Sequence, residues 1–395
     1  MKPIRFPALP PSRTNQRRSK PVDLTLVLTH QCNLRCRYCY TGRKFDRAMP
    51  LAIAKQAGDF GFSRASRGRI AISFFGGEPL LEFALMREIV AYANARAADR
   101  GIPVIYVLPT NGTVLNDAIL SFLRNQKIHV QLSLDGNSES QNRVRPFIDG
   151  SGSHAIIAKN AQRLAEAGCL HRIVAVIDPE TAPQLADSFL YLRELGAKEI
   201  HFPPNYLGGW SDEACAGFEA GLRALGDAYR DTFRSGRRVV MDPFYGKIIT
   251  HLMSHPDRAP RCGFGKTELA VAPSGNIYPC DRIVHEDNDP ALRIGHVSTG
   301  IDDAEVAALT SARETLDPEC ANCAVRQRCG QWCGCAQIET TGRVGQVSPL
   351  FCWFERAFIA EADRLANQLF DERDPAFLAE FYALKPAPIK RAPLR

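Results

Sequence analysis

Thr29-His30-Gln31-Cys32-Asn33-Leu34-Arg35-Cys36-Arg37-Tyr38-Cys39-Tyr40 is the stretch on which the reading of the chain turns. Its three cysteines are spaced C-x3-C-x2-C, directly after an apolar run over 24–29 that reads as a strand. A four-iron cluster takes one thiolate per iron, so three cysteines leave one iron open to another ligand. An open iron points to chemistry at the cluster rather than to electron storage. Two bland readings compete. Zinc needs four N or S ligands, and His30 precedes Cys32 too closely to be a convincing fourth. A disulfide framework needs an oxidising compartment, and Met1-Lys2-Pro3-Ile4-Arg5-Phe6-Pro7 has no apolar run after its positive start, so it is not a secretory signal.

Outward from this loop, residues 24 to about 205 alternate short apolar runs with amphipathic ones. Strands are predicted at 24–29, 69–75, 103–109, 128–134, 171–177 and 198–203, with helices at 50–64, 80–100, 116–126, 154–168 and 183–195. Such alternation predicts an α/β fold with a parallel sheet and helical crossovers, either a partial barrel or a doubly wound sheet. In both, ligands gather at the carboxyl ends of the strands. The polar motifs fall there. The cysteine loop follows the first strand, Gly76-Gly77-Glu78-Pro79 the second, Thr110-Asn111-Gly112-Thr113 the third and Asp135-Gly136 the fourth.

After Pro203 the pattern changes. A helix is predicted over 211–236, then a turn at Asp242-Pro243-Phe244-Tyr245-Gly246-Lys247 leading into a short helix, and cysteines dominate from Cys262 to Cys352. Phe354, Phe358, Ile359, Ala362, Leu365 and Leu369 stand at helical spacing and predict a closing helix over 353–370, with those side chains in the core. The expected division is a basic tail at 1–20, a barrel at 21–236, a bridging segment at 237–261, a cysteine-rich domain with its closing helix at 262–370, and a second tail at 371–395.

The cysteine loop and the segments that follow it resemble the radical S-adenosylmethionine enzymes. The resemblance implies a partial (β/α)6 TIM-like barrel and a 4Fe–4S cluster on Cys32, Cys36 and Cys39. The open iron of that cluster chelates the amino and carboxylate groups of S-adenosylmethionine. One electron then cleaves the sulfonium to methionine and a 5′-deoxyadenosyl radical, which abstracts a hydrogen atom. Gly76 and Gly77, small enough for close backbone approach, would with Glu78 hold the amino end of S-adenosylmethionine. Thr110 and Asn111 would contact the same ligand, and so would Asp135 and Arg145. Related enzymes use an arginine in the segment 141–147 to grip the ligand carboxylate with two hydrogen bonds; Arg145 is the expected one, ahead of Arg143. The competing readings are an ordinary turn for Gly-Gly-Glu-Pro and a surface ion pair between Asp135 and one of the arginines.

In the second half, Cys262 is followed after twelve residues by Gly275 and then by Cys280; Cys320-x2-Cys323-x5-Cys329-x3-Cys333 and Cys352 come later. This order resembles the SPASM extension of radical S-adenosylmethionine enzymes that modify peptides and proteins. It implies two auxiliary 4Fe–4S clusters, one on Cys320, Cys323, Cys329 and Cys352, the other on Cys262, Cys280 and Cys333. The second set is one ligand short, because no cysteine lies between Cys215 and Cys262, where sulfatase-maturating relatives supply one. Cys335 or a substrate thiolate could fill the gap, and spacing does not decide between them. A zinc ribbon is the competing reading for Cys320, Cys323, Cys329 and Cys333. Asp281, after Cys280, resembles the residue proposed as proton acceptor in sulfatase-maturating enzymes; a plain hydrogen-bonding neighbour of a cluster is the alternative. Cys169 and Cys215 fall on helical stretches and read as small buried apolar residues. His251 and His255 share a helical face, with nothing nearby to complete a metal site.

Composition sets the outer bounds. A chain of 395 residues with 45% hydrophobic content buries a full core, with two domains expected. No run of eighteen apolar residues is present, so no membrane partner is expected. The formal charge of +6 is concentrated in two proline-containing ends: residues 1–20 carry six Lys/Arg and residues 385–395 carry four, neither with an acid. Without them the body is slightly acidic, which disfavours nucleic acid and suits solvated tails. Thirteen cysteines without an export signal belong in a reducing cytoplasm.

The resemblance thus implies a cytoplasmic peptide maturase that acts on a precursor peptide or protein substrate and leaves a thioether or carbon–carbon crosslink. Its electron donor would be a flavodoxin or ferredoxin. A separate leader-recognition protein is a further expected partner, since the stretch before residue 24 leaves no room for a recognition domain. The alternatives are sulfatase-type conversion of Cys or Ser to formylglycine and, from another class, a non-catalytic metal-binding module for RNA or protein.

Overall fold

The structure is a computed structural model describing residues 21–65, 68–252, 262–315 and 317–382. The tail at 1–20 and His255 lie outside the described residues. One sheet runs through the described residues. Its strands are β1 (Val22–Thr29), β2 (Ile70–Gly76), β3 (Val104–Thr110), β4 (His129–Ser133), β5 (Leu170–Val174), β6 (Glu199–His201), β7 (Val240–Asp242), β8 (Glu268–Val271), β9 (Asn276–Tyr278), β10 (Gly295–His296) and β11 (Gly300–Ile301). Their spatial order is β11-β10-β9-β8-β1-β2-β3-β4-β5-β6-β7. From β8 to β7 every pairing is parallel; β9, β10 and β11 add an antiparallel fringe.

The six expected strands are all present, and two short parallel ones flank them. β7 arises in the segment expected to bridge, and β8 in the cysteine-rich half pairs directly with β1, Asp23 beside Glu268 and Leu26 beside Val271. The halves therefore share one sheet. β7 has three residues and β8 four, too few for alternation to register in sequence.

Register sorts the side chains into two faces, because successive residues of a strand point opposite ways. Leu24, Ile72 and Tyr106 lie side by side, as do Leu132, Ile173, Ile200 and Met241, all buried. Helices cover this face. A Cβ at Gly61, in the helix Leu51–Arg64, would come within 2.9 Å of the Leu24 side chain, so the glycine lets helix and strand close up. The opposite, inner face carries Gln131, Arg172 and Glu199 in one row and Val174, His201 and Asp242 in the next. A polar inner face over β4–β7 is the ground on which a substrate chamber can be built.

The helix Asp212–Arg234 is capped by Ser211, whose side chain accepts from the Ala214 N–H. The closing helix runs Pro349–Asp371, beginning earlier than expected because Ser348 caps it and Pro349 suits its first turn. Cys352 thereby sits in that first turn. The segment expected as a tail from 371 contains a helix, Pro375–Phe381, whose Phe377 and Phe381 are buried beside Phe233. Cys215 lies on a helix as expected, but is half-buried rather than buried; Cys169 is buried in the turn before β5.

Candidate active site

The cysteine loop leaves the carboxyl end of β1 and docks by its backbone on two neighbours. Leu34 bridges Phe147, the Arg35 N–H donates to the Pro146 carbonyl (2.9 Å), and the Arg37 N–H to the Val144 carbonyl (3.0 Å). On the other side, the Gly77 N–H donates to the Thr29 carbonyl and the Glu78 N–H to the Gln31 carbonyl. A Cβ on Gly76 would meet the Thr29 oxygen at 2.1 Å, and one on Gly77 the Gln31 oxygen at 1.9 Å. Gly76 also has φ of 132°, a conformation that L side chains avoid. The two glycines are therefore needed for contact with the cysteine loop itself, whatever else they hold.

Glu78 is fully buried, and its carboxylate organises the end of β3. Oε1 accepts from the Leu80 N–H (2.9 Å) and the Thr110 hydroxyl (2.7 Å); Oε2 accepts from the Asn111 N–H (2.8 Å). Burial pushes the carboxyl up to about 6 against the pull of these hydrogen bonds. Asn111 in turn donates through Nδ2 to Asn33 Oδ1 (2.9 Å) and toward Cys32 Sγ (3.8 Å). Thr113 closes this net by donating to Asn111 and accepting from Asn33.

Asp135 and Arg145 form a buried ion pair rather than a surface one. Arg145 Nε lies 2.9 Å from Oδ2 and Nη2 3.2 Å from Oδ1, with side chains 8% and 0% exposed. Asp135 also accepts from the Val176 N–H (2.8 Å) and from the Tyr38 hydroxyl. The third guanidinium nitrogen of Arg145, Nη1, points at Cys36 Sγ (3.9 Å), and its face covers the Tyr38 ring at 5.0 Å. Arg143 instead pairs with Glu139 at the surface. Tyr38, Asn33 and Thr113 were not singled out from sequence; the position of Tyr38 between Cys36 and Cys39 was the available signal.

The three thiols lie within electrostatic reach of one another. Burial pushes Cys36 up to about 11, so a free thiol there stays protonated. Donors nonetheless face the sulfurs: the Leu34 N–H lies 3.4 Å from Cys32 and the Thr41 hydroxyl 3.3 Å from Cys39. Half-buried thiols facing N–H and O–H donors suit iron-bound thiolates, whose charge such donors stabilise. None of the thirteen cysteines forms a disulfide.

The second half gathers its cysteines into two groups. Cys320, Cys323, Cys329 and Cys352 line a single cavity, with Arg356 donating toward Cys352 Sγ (3.3 Å) and Cys323 Sγ (3.7 Å). The other group packs with Phe264 and Ile283: Cys280 and Cys335 fully buried, Cys262 and Cys333 beside them. Cys335 Sγ lies 3.3 Å from Cys333 Sγ. Hydrogen bonding to Cys280 and Cys333, with burial, pushes the Cys335 thiol well up, as crowded thiols sharing protons require. Two carboxylates join this inner group. Cys262 Sγ lies 3.5 Å from Glu268 Oε2, and Cys280 Sγ 3.2 Å from Asp281 Oδ1. Glu268, Cys280 and Asp281 place their ligand atoms within 4.8 Å of one another.

An open parallel sheet with a three-cysteine loop at the end of its first strand is the arrangement of a radical S-adenosylmethionine enzyme. Residues 26–191 match the profile of the Radical SAM superfamily, and the chain carries that domain. It is 34% identical over 179 residues to an uncharacterized protein of Methanocaldococcus jannaschii, a match covering 45% of this chain and 61% of that one, less than two thirds of its length. It is 26% identical over 321 residues to the serine-type anaerobic sulfatase-maturating enzyme of Klebsiella aerogenes, covering 76% of each. With the PqqA peptide cyclase of Gluconobacter oxydans it shares 24% identity over 350 residues, 84% of this chain and 90% of the other. The solved structure of native anSMEcpe with bound AdoMet superposes with a TM-score of 0.75 at 21% identity, over 89% of this chain and 100% of that one, which shows the fold. No helix among the described residues is long and apolar enough to cross a membrane.

Proposed function

We propose that this chain is a peptide maturase that removes a hydrogen atom from a side chain of a ribosomally made peptide and oxidises it to a thioether or carbon–carbon crosslink. The observation that carries the reading is the cysteine trio at the mouth of β1, ringed by hydrogen-bond donors, in the same sheet as a second group of buried thiols beside a carboxylate. An iron–sulfur cluster on Cys32, Cys36 and Cys39, with S-adenosylmethionine at its open iron, would supply one-electron cleavage of the sulfonium and hence the hydrogen-abstracting radical. The chain's own residues then bind and orient. Asp135 holds the Arg145 guanidinium through Nε and Nη2 with Nη1 directed at Cys36, so a ligand carboxylate would meet the remaining Nη1 N–H rather than the two-bond grip expected from sequence. Gly76 and Gly77 keep the Gly-Gly-Glu-Pro backbone against the loop, and Glu78 fixes Thr110 and Asn111 where they meet the ligand.

Substrate oxidation releases a second electron and a proton. In this reading Asp281 would take the proton, and clusters at the auxiliary sites would accept the electron. Cys320, Cys323, Cys329 and Cys352 fit one auxiliary 4Fe–4S cluster. Cys262, Cys280 and Cys333 fit the other, and the Cys333–Cys335 contact favours Cys335 over a substrate thiolate as its fourth ligand. The working partners are a precursor peptide, an electron donor such as a flavodoxin or ferredoxin, and a separate leader-recognition protein, in a cytoplasmic setting.

A second reading, oxidation of Cys or Ser to formylglycine, is favoured by the placement of Asp281 beside Cys280 and by the similarity to sulfatase-maturating enzymes. One experiment separates them. The anaerobically reconstituted protein is given a sulfatase peptide and the peptides encoded by neighbouring short reading frames, and products are read by mass spectrometry. A crosslinked product with no formylglycine supports the first reading; formylglycine alone supports the second. Stoichiometric zinc with no S-adenosylmethionine cleavage under a strong reductant would sink both.

A further inference from the structure

Tyr40, the residue after Cys39, leaves the mouth and lies under the Arg282 guanidinium, whose carbon is 4.7 Å from the ring centroid. Its ring also stacks on Phe75 at 6.3 Å, at the end of β2. Arg282 follows Cys280 and Asp281 in sequence. The edge of its guanidinium pairs with Glu339, Nη2 to Oε2 at 2.7 Å and Nε to Oε1 at 3.3 Å. Glu339 belongs to the helix Gly334–Thr341, which begins directly after Cys333 and contains Cys335. One guanidinium thus touches three segments, and each carries ligand cysteines: the Cys39 loop, the Cys280 loop and the Cys333–Cys335 helix.

The pair is expensive to bury. Glu339 is 2% exposed and Arg282 27%, and taking two charges out of water costs several kcal/mol per ion before their attraction offsets it. Burial acts to discharge Arg282, but the Glu339 carboxylate paired with it holds it protonated. A fixed cation therefore sits beside thiols of the inner group. It also lies within electrostatic reach of His201, on the inner face of β6.

We propose that Arg282 is a positioning residue with an electronic role: it fixes the spacing between the radical-forming loop and the inner cysteine group, and its charge raises the reduction potential of the cluster held there. The proposal rests on the auxiliary-cluster reading above. Reduction adds one electron and no proton to an oxidised cluster, so a nearby cation favours the more negative, reduced form and a nearby anion disfavours it.

The test is a dithionite titration of the full-length, anaerobically reconstituted protein, with each cluster followed by its paramagnetic resonance signal. Arg282→Met is expected to make the inner cluster about tenfold harder to reduce at a given potential, a shift of about 59 mV to the negative for one electron. Glu339→Gln, which strips the counter-charge, is expected to shift it the opposite way. Arg282→Lys keeps the charge and is expected to stay near the parent value. A merely structural strut would not give shifts of opposite sign. The spacing is read from the relaxation that the reduced mouth and inner clusters impose on one another, which Tyr40→Leu is expected to change.

Equal potentials in Arg282→Met, Glu339→Gln and the parent, or shifts of one sign, would overturn the electronic role, and unchanged relaxation the positioning role. Should Arg282→Met lose its iron, Glu339→Gln against Arg282→Lys still decides. A parent protein with iron for one cluster only would instead defeat the auxiliary-cluster reading.

Discussion

The mouth of β1 and the inner group around Cys280 use the same ligand atom in different settings, although Cys262 of the inner group also accepts from the Phe264 N–H at 3.3 Å. At the mouth, sulfurs face donors: Asn111 and the Leu34 N–H at Cys32, Arg145 at Cys36, Thr41 at Cys39. At the inner group, two of the sulfurs face carboxylates, Glu268 at Cys262 and Asp281 at Cys280, with Arg282 close by. Donors stabilise accumulated negative charge, which suits the three thiolates and the ligand carboxylate proposed for the mouth. Carboxylates suit the proton acceptance proposed for the inner group, where Arg282 pairs with Glu339 and Arg313 donates to the Cys262 carbonyl. The lesson is that cysteine spacing names the metal chemistry, whereas the neighbours divide the labour.

The sharpest way to break this comparison is Cys36→Ala, which is expected to reduce 5′-deoxyadenosine formation to background while the auxiliary iron remains. Chromatography of the reaction and iron analysis together would check it; retained cleavage would remove the mouth from the chemistry. Cys335→Ala is the counterpart at the inner group. Parent protein is expected to hold about twelve irons as three cubanes, and this variant about four fewer, with Cys215→Ala unchanged as the control.

Next come the two arginines. Arg145→Met leaves Asp135 charged and unpaired in the core and is expected to cost about 3–5 kcal/mol in urea unfolding, as well as weakening S-adenosylmethionine binding. Glu78 gives a smaller effect, with a sign. Its folded pKa, about 6, lies above the ordinary 4.5, so the fold favours the protonated form and this group's contribution is lost as pH rises through that window. Glu78→Gln is expected to shrink the difference in unfolding free energy between pH 4.5 and pH 7 by about 1.6 kcal/mol. Smallest of all, Arg143→Met should cost no more than about 0.5 kcal/mol, because its partner Glu139 is a surface residue four positions away. Equal losses for Arg143 and Arg145 would erase the distinction between them.

Much of this was legible from spacing. Long apolar runs placed β1 to β6, and the strand-end rule put Gly76, Thr110, Asn111 and Asp135 at one end of the sheet before any contact was known. What escaped had physical causes. β7 and β8 are shorter than one cycle of detectable alternation, and the helix Ser138–Val144 is two turns of mostly polar residues. The helix Pro375–Phe381 hides behind a proline-containing end. That the Glu78 carboxylate accepts from three donors of the protein itself was not legible either. That arrangement depends on how β2 and β3 meet, which no local pattern encodes. The Tyr40–Arg282–Glu339 contact joins residues some 240 and 57 positions apart, and only tertiary structure reveals it.

The pairing of β8 with β1 has a practical corollary for anyone dissecting this protein. A fragment ending at Leu252 would keep the cysteine mouth but strip the strand that lies alongside Asp23 to Leu26. The bare N–H and C=O groups of β1 would then form an open edge, ready to recruit a second chain or to aggregate. Attempts to isolate the mouth by truncation should therefore yield insoluble or self-associated material, whereas point substitutions leave the sheet sealed.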